Sequence, residues 1–135
     1  MSRVYFTDRD LGKQFGAILR SSGLTVERHT DHFAHDTPDE AWLAEVGRRG
    51  WIALTHDSRI RYKRDAVMQH GVALLVIVGK APFPELARAF VMTLPRIERF
   101  LDSHNPPFIA KVYRPSPSGA ASIVSPGRID LWYPQ

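Results

Sequence analysis

The chain has 135 residues, which is about the length of one domain, and its 44% hydrophobic content is enough for a buried core. It contains no cysteine, which excludes a disulfide framework and thiolate chemistry. No apolar run reaches the ~18 residues of a membrane span, and no leader pattern follows Met1, so we expect a cytoplasmic protein without a membrane anchor. The net charge of +4 favours contact with polyanions but is modest for a dedicated nucleic-acid binder.

The first predicted unit is a strand over residues 3–7 followed by a helix that starts at about Leu11. Apolar residues recur along this helix at the spacing of one buried face, and Gly23 is its stop signal. Asp10 is a natural N-cap for the helix, so we assign the capping role to Asp10. Asp8, which directly follows the strand, is the candidate for function.

Residues 25–30 alternate weakly and predict a second, less buried strand. The segment 31–36 has a loop-like composition, and its histidines together with His29 suggest a metal site. Their irregular spacing, on backbone that we expect to be non-helical, and the absence of cysteine favour solvent-exposed loop histidines over zinc ligands.

The next helix has a strong start signal, because Thr37-Pro38-Asp39-Glu40 has the form of a capping box with proline at the first helical position. In that geometry Glu40 reaches back to the N–H of the cap, while Asp39 is freer to point elsewhere. Both acids could simply complement the helix dipole. However, a helix between two strands that end at one sheet edge must begin at that edge, so we treat Asp39 as a candidate ligand.

The apolar run 51–54 predicts a short strand buried on both faces, and it ends in Thr55-His56-Asp57. Asp57 therefore lies at the carboxyl end of its strand, as Asp8 does. Cations cluster in sequence beside these two acids, which favours a phosphate-bearing ligand over a merely solvated helix face. The cations nearest the acids are Arg9, Arg59, Arg61 and Lys63.

The second half of the chain predicts a short helix over 60–70, a central strand over 72–78 and a helix over 82–104 that Pro95 splits or kinks. Residues 108–113 and 128–133 predict an antiparallel hairpin whose long connection is mobile. We therefore assign residues 1–113 to an α/β domain, and residues 114–135 to a flexible connection and a C-terminal strand of the same domain.

Alternating strands and helices predict an α/β fold with a Rossmann-like, doubly wound parallel sheet and helices on both faces. In this architecture Asp8, Asp39 and Asp57 converge at the carboxyl edge of the sheet. Three adjacent carboxylates repel one another unless a cation neutralises them, and an all-oxygen ligand set suits Mg²⁺ or Mn²⁺. Such a site suits phosphoryl or phosphodiester chemistry.

Three short segments together resemble the PIN-like domain: 6–12 (FTDRDLG), 38–43 (PDEAWL) and 50–57 (GWIALTHD). More narrowly, they are similar to the small prokaryotic PIN-like toxins of type II toxin–antitoxin pairs of the VapBC kind. The resemblance covers roughly residues 3–112. It implies a Mg²⁺- or Mn²⁺-dependent endoribonuclease that a cognate antitoxin holds inactive, often as a homodimer.

The resemblance also implies roles for individual residues. Asp8, Asp39 and Asp57 match the acids of the family's metal site, with Glu40 joining through water and with Thr55 and Asp10 supporting the ligands. Many relatives carry another acidic or polar residue just past the last acid, where this chain has Ser58 and Arg59. The residues that we expect to hold RNA phosphates are Arg9, Arg59, Arg61 and Lys63.

Other protein classes also place acids after parallel strands. A receiver-like phosphoacceptor domain needs a Ser or Thr after its fourth strand, where this chain has Val78-Gly79-Lys80. A haloacid-dehalogenase-type phosphatase is suggested by Asp8-Arg9-Asp10, but the expected downstream Thr is absent. The remaining alternative is a PIN-like module that binds RNA or an antitoxin with weak or lost catalysis.

Overall fold

A computed structural model, which describes residues 3–115 and 126–134, contains one six-stranded sheet in the order β2-β1-β3-β4-β5-β6. The first five strands are parallel, and β6 is antiparallel to β5. The strands are β1 (Val4–Thr7), β2 (Thr25–Arg28), β3 (Ile52–Thr55), β4 (Ala73–Val78), β5 (Phe108–Tyr113) and β6 (Arg128–Tyr133). This is the α/β architecture with a C-terminal antiparallel strand that the sequence predicts.

Helices cover both faces of the sheet. They are α1 (Gly12–Ser21), α2 (His29–His32), α3 (Asp39–Arg49), α4 (Arg64–His70) and α5 (Phe83–Ser103). One face packs on α1 and α5 through side chains such as Phe15 and Phe90, and the other packs on α3 and α4 through Trp42 and Val67. Burying one such side chain contributes about 1.5–3 kcal/mol. None of the helices within the described ranges is long and apolar enough to cross a membrane.

The strand order places a topological switch between β1 and β3, because the chain leaves β1 toward β2 on one side and later returns to β3 on the other. In sheets of this kind the loops after the two central strands diverge and leave a crevice at the carboxyl edge. The segments that contain Asp8 and Asp57 are the ones that follow β1 and β3. The fold therefore brings the two predicted acids to the same crevice.

The start of α1 differs from the prediction. A 3-10 turn, Arg9–Leu11, comes first, and Gly12 follows it with a φ of +76°, which other residues rarely adopt. Asp8 caps this turn, since its Oδ1 accepts a hydrogen bond from the N–H of Arg9 at 2.8 Å. The prediction that Asp10 is the cap is wrong, and its side chain is available for other contacts.

The capping box at the start of α3 is also wrong. The helix begins at Asp39, and the cap position is occupied by Pro38, whose side chain has no group that can form a capping hydrogen bond. The predicted cap, Thr37, lies one residue too early. Glu40 is exposed in the first turn, so it is not held against the backbone as we expected.

Two other segments differ from the predicted helices. Residues 29–32 form α2 instead of a strand end and loop. The expectation of exposed histidines is wrong for His29, which is fully buried, and is confirmed for His32 and His35, which are exposed. The predicted helix over 60–70 is a 3-10 turn, Ser58–Lys63, followed by α4. Ile60 and Val67 are buried, as its apolar pattern indicates.

The remaining elements agree closely with the predicted boundaries. The long helix α5 is continuous through Pro95, so proline does not split it. The predicted hairpin exists, with β5 and β6 antiparallel. The mobile connection that we predict within it includes residues 116–125, which lie outside the described residues.

Candidate active site

The hydroxyl of Thr55 lies at the centre of the polar groups in the crevice. It is fully buried at the end of β3, and its Oγ1 lies 2.9 Å from Asp8 Oδ2 and 3.4 Å from Asp10 Oδ2. The same oxygen accepts a hydrogen bond from the backbone N–H of Asp57 at 3.2 Å. One hydroxyl therefore connects three of the acids that the sequence analysis singled out.

Asp8 and Asp10 are carboxylates held in an environment that disfavours their charge. Burial, followed by the nearby charge of Asp10, raises the pKa of Asp8 to about 6, although hydrogen bonds from Thr55 and Arg9 oppose the shift. Burial also raises the pKa of Asp10, and the charge of Asp57 adds to the effect. Within the described part of the chain, the buried Oδ1 of Asp10 has no hydrogen-bond partner. This edge of the crevice is therefore short of positive charge.

Asp57 has the opposite environment. Arg59 donates to both of its carboxylate oxygens, from Nε at 3.0 Å and from Nη2 at 3.2 Å, and the backbone N–H of Arg59 adds a third bond at 2.9 Å. These hydrogen bonds, the side-chain ones above all, lower the pKa of Asp57. The side chain of Arg59 is 82% exposed, so it can leave Asp57 without disturbing the core.

Asp39 joins the crevice from the start of α3. Its Oδ1 accepts a hydrogen bond from the indole Nε1 of Trp42 at 3.0 Å, one helical turn away. Trp42 is fully buried against Phe6 of β1, so the indole fixes the direction of the carboxylate. The charge of Asp39 contributes to the raised pKa of Asp8, which places the two acids within electrostatic reach. No hydrogen bond among the described residues links Glu40 to the other acids.

The residues predicted to bind phosphate lie at different places around the acids. Arg9 is exposed beside the acids, and its Nη1 lies 3.4 Å from the carbonyl oxygen of Thr37, just before α3. Lys63 is exposed at the end of the 3-10 turn that follows Asp57. The side chain of Arg61 lies outside the described part of the chain.

Two histidines near the acids were missed by the sequence analysis as site residues. His56 donates its backbone N–H to Asp10 Oδ2 at 3.2 Å, and its ring Nε2 bonds to the carbonyl oxygen of Gly79 at 2.7 Å. His29 is packed among aromatic rings, and its ring nitrogens have no hydrogen-bond partner among the described residues. Burial lowers the pKa of His29, which favours the neutral form of its ring. The position of His56 directly before Asp57 was an available signal, whereas the sequence analysis considered His29 only as a zinc ligand and set it aside.

The donor set of the crevice fits a hard divalent cation. The donors are carboxylate oxygens, which Mg²⁺ and Mn²⁺ prefer, and the unpartnered oxygen of Asp10 with the raised pKa of Asp8 shows where positive charge would be stabilising. Among the described residues, no three acids or histidines already form a ready-made metal-binding group. Two of the acids already have other partners, since Asp57 accepts hydrogen bonds from Arg59 and Asp39 accepts one from Trp42.

Comparison with known proteins identifies the fold family. A family model described as a PIN-like domain matches residues 3–79, which is more than half of the chain and includes all of the acids in the crevice. No curated protein and no solved structure is significantly similar to the chain. PIN-like domains are generally nucleases, and the switch-point crevice with its acids agrees with that fold. The chain belongs to the PIN-like domain family.

Proposed function

We propose that this protein is a ribonuclease that hydrolyses the phosphodiester bonds of RNA with the help of Mg²⁺ or Mn²⁺. The observation that carries the proposal is the group of acids at the switch point, in which Asp8 and Asp10 share the Thr55 hydroxyl and one buried oxygen of Asp10 has no partner among the described residues. Carboxylates held in this way favour binding of a divalent cation, because the cation offsets both the cost of burying their charges and the repulsion between them.

The residues that would hold the cation are Asp8, Asp39 and Asp57, with Asp10 beside them. Once bound, a divalent cation lowers the pKa of a coordinated water and steadies negative charge on the phosphate oxygens. Thr55 orients Asp8 and Asp10 in the crevice. Glu40 is exposed on the same helical turn as Asp39, from where it can act only through water.

The cations of the crevice supply the phosphate contacts in this proposal. Arg9 and Lys63 are exposed on the two sides of the acids. Arg59 is paired with Asp57 in the structure, and an RNA phosphate is an alternative partner of the same charge and a similar bidentate geometry. We include Arg61 by its place in the same basic segment. Such contacts position a strand and carry no sequence information.

We further propose that the nuclease is the toxin of a type II toxin–antitoxin pair, kept inactive by a cognate antitoxin and acting as a homodimer in the cytoplasm. This step is supported by the resemblance of segments 6–12, 38–43 and 50–57 to toxins of the VapBC kind. Co-expression with the neighbouring reading frame would test it. Growth arrest by this chain alone, relieved by the co-expressed partner, is the expected result, and no effect on growth in either case contradicts it.

The experiment that tests the enzyme is cleavage of a labelled RNA panel by the purified protein with Mg²⁺, Mn²⁺ or EDTA. We expect cleavage that requires metal and that Asp57→Asn abolishes. The matched control is Asp102→Asn, because Asp102 is exposed at the end of α5, and its pair with Arg3 is a surface ion pair of small energetic value. Metal-independent cleavage, or an Asp57→Asn variant as active as the control, would refute the proposal.

One observation favours a second candidate function. Asp57 is neutralised by Arg59, and the acids do not form a ready-made metal-binding group in the described part of the chain. A PIN-like module that binds RNA or an antitoxin without cleaving RNA does not need a metal-binding group, so this arrangement of the acids would be sufficient for it. In that case wild type and Asp57→Asn bind the same RNA or partner equally, and neither cleaves any member of the panel.

A further inference from the structure

A cavity of about 400 Å³ opens beside the acids. It runs from the carboxyl ends of β3 and β4 across the sheet face to β5 and β6. Its lining is largely apolar and includes Ile60, Val76 and Trp132. Two lysines, Lys80 and Lys111, also line it. This volume is within the ~300–1,000 Å³ typical of sites for small ligands.

The cavity is continuous with the acids through His56. The backbone N–H of this residue bonds to Asp10 Oδ2, while its ring bonds to the carbonyl oxygen of Gly79 in the cavity wall. Ser58, which follows Asp57 directly, lines the same wall. A molecule with one group at the acids can therefore extend directly into the cavity.

The lining fits a flat, apolar-faced ligand that also carries negative charge. The ammonium of Lys111 lies 5.1 Å from the ring centroid of Trp132, and this contact holds the indole in place within β6. Lys80 is exposed at the mouth, where it can meet an anion without leaving solvent. A nucleobase attached to a sugar phosphate has both properties, since its faces stack on indole rings and its phosphate pairs with lysine.

A second cavity on the molecule also contains a tryptophan, Trp51, whose ring centroid lies 4.8 Å from the guanidinium of Arg49, but Trp51 precedes β3 and so lies at the opposite end of that strand from Asp57. The volume of this cavity is about 270 Å³, and it is lined by His32, Glu45 and Arg49 among others. Glu45 and Arg49 already form an ion pair there, at 2.6 Å. None of the acids of the crevice, and neither His56 nor Ser58, lines this second cavity, so a base bound there would not lie next to a phosphodiester at the acids.

We propose that the cavity between His56 and Trp132 binds a nucleobase of the RNA strand, next to the phosphodiester that lies at the acids. The inference rests on the proposed ribonuclease function and extends it to the recognition of the substrate. Stacking on Trp132 accepts every base, so the cavity would hold the strand in register and favour single-stranded RNA, whose bases are free to leave the stack.

Binding of a short labelled single-stranded RNA, measured by anisotropy in EDTA, tests the proposal without catalysis. We expect Trp132→Leu to weaken binding about tenfold, which is a typical loss for one stacked base. Lys80→Ala should weaken it less and lower the slope of log K against log salt by about 0.7. The matched control is Trp51→Leu, because Trp51 is a half-buried tryptophan that lines the other cavity. Melting curves test whether each variant is folded, and the Lys80→Ala variant, at an exposed position, provides the test if Trp132→Leu does not fold.

The outcomes separate this proposal from the function on which it rests. If Trp132→Leu and Lys80→Ala bind RNA as wild type does, the base cavity is wrong, while metal-dependent cleavage that Asp57→Asn abolishes still stands. If free mononucleotides quench the tryptophan fluorescence of wild type but not that of Trp132→Leu, and RNA does not compete with them, the cavity is a nucleotide site unrelated to the strand. If wild type neither binds nor cleaves RNA, the ribonuclease function fails, and the cavity proposal fails with it.

Discussion

Replacing Asp8 by asparagine should stabilise the metal-free protein at neutral pH and at the same time abolish cleavage. Asp8 is 7% exposed, and its charge is opposed by burial and by Asp10. Asparagine has nearly the same shape and can still accept the hydrogen bond from the N–H of Arg9, while the hydroxyl of Thr55 can turn to accept from the new amide. The substitution therefore removes an unfavourable charge without creating a cavity.

The size of the expected gain in the free energy of unfolding follows from the pKa of Asp8, which rises from an ordinary 3.8 to about 6. Between these values the folded protein retains a proton that the unfolded chain has released, so the free energy of unfolding falls as pH rises through this window. A difference of roughly two units, at about 1.36 kcal/mol each, amounts to about 3 kcal/mol. This stabilisation of wild type is present below pH 3.8 and is lost above about pH 6.

Chemical denaturation of wild type and Asp8→Asn in EDTA, at a series of pH values, measures the effect. We expect the variant to be more stable by about 3 kcal/mol at pH 7, equivalent to about 10 °C in Tm, and the gap to close as pH falls toward 4. Asp57→Asn is the control with no such gain, because Arg59 lowers the pKa of Asp57. An Asp8→Asn variant equal to or less stable than wild type at pH 7 would refute the reasoning.

Two further predictions concern the neighbours of the acids. Trp42→Phe removes the 3.0 Å hydrogen bond to Asp39 and leaves a cavity, because Trp42 is fully buried and phenylalanine is smaller. We expect slower cleavage with a stability loss of about 2–3 kcal/mol, measured by kinetics and denaturation of the same samples. Arg59→Gln frees the oxygens of Asp57, so Mg²⁺ should bind more tightly in calorimetry while RNA binds more weakly. A parallel loss of both affinities would show that Arg59 does not compete with the cation.

The sheet was predictable because the amino-acid composition of its strands indicates which of them are buried. Residues 73–78 are apolar almost without interruption, and five of these six residues are buried. Strands of this kind must lie inside a parallel sheet with helices on both faces, which fixes the direction of each strand. The convergence of Asp8 and Asp57 then follows, because each acid comes directly after a parallel strand. The roles of the converging acids remain predictions.

The local geometry around Asp10 differs from the one that the sequence predicts, although the resemblance already implies a supporting role for this residue. A helix that starts at Leu11 places Asp10 at its cap, and the sequence contains nothing in the helix itself that contradicts this. The 3-10 turn before α1 changes the assignment, since Asp8 becomes the cap and Asp10 approaches Thr55 and His56. Gly12 was the available signal, because a glycine with positive φ ends one element and begins another.

The cavity could not be predicted from spacing at all. Lys111 lies on β5 and Trp132 on β6, and the long connection between these strands leaves their register undetermined in the sequence. The observed register shifts between Ile109 and Ala110, close to where Trp132 is placed. A pocket built across such a hairpin depends on this irregularity, which composition does not encode.

Arg59 shows how the electrostatics of the crevice are divided between its two sides. Asp57 carries its own counter-ion, whereas in the described part of the chain neither Asp8 nor Asp10 has an ion-pair partner. In the proposed function, binding a divalent cation would therefore be most favourable beside Asp8 and Asp10, where it would offset the cost of burying their charges and their mutual repulsion. It would be least favourable at Asp57, where the cation must displace a guanidinium. The displaced Arg59 remains within two residues of the acid and is available for phosphate. Substrate and cation would thus favour one another at this site, since each takes one member of the same ion pair.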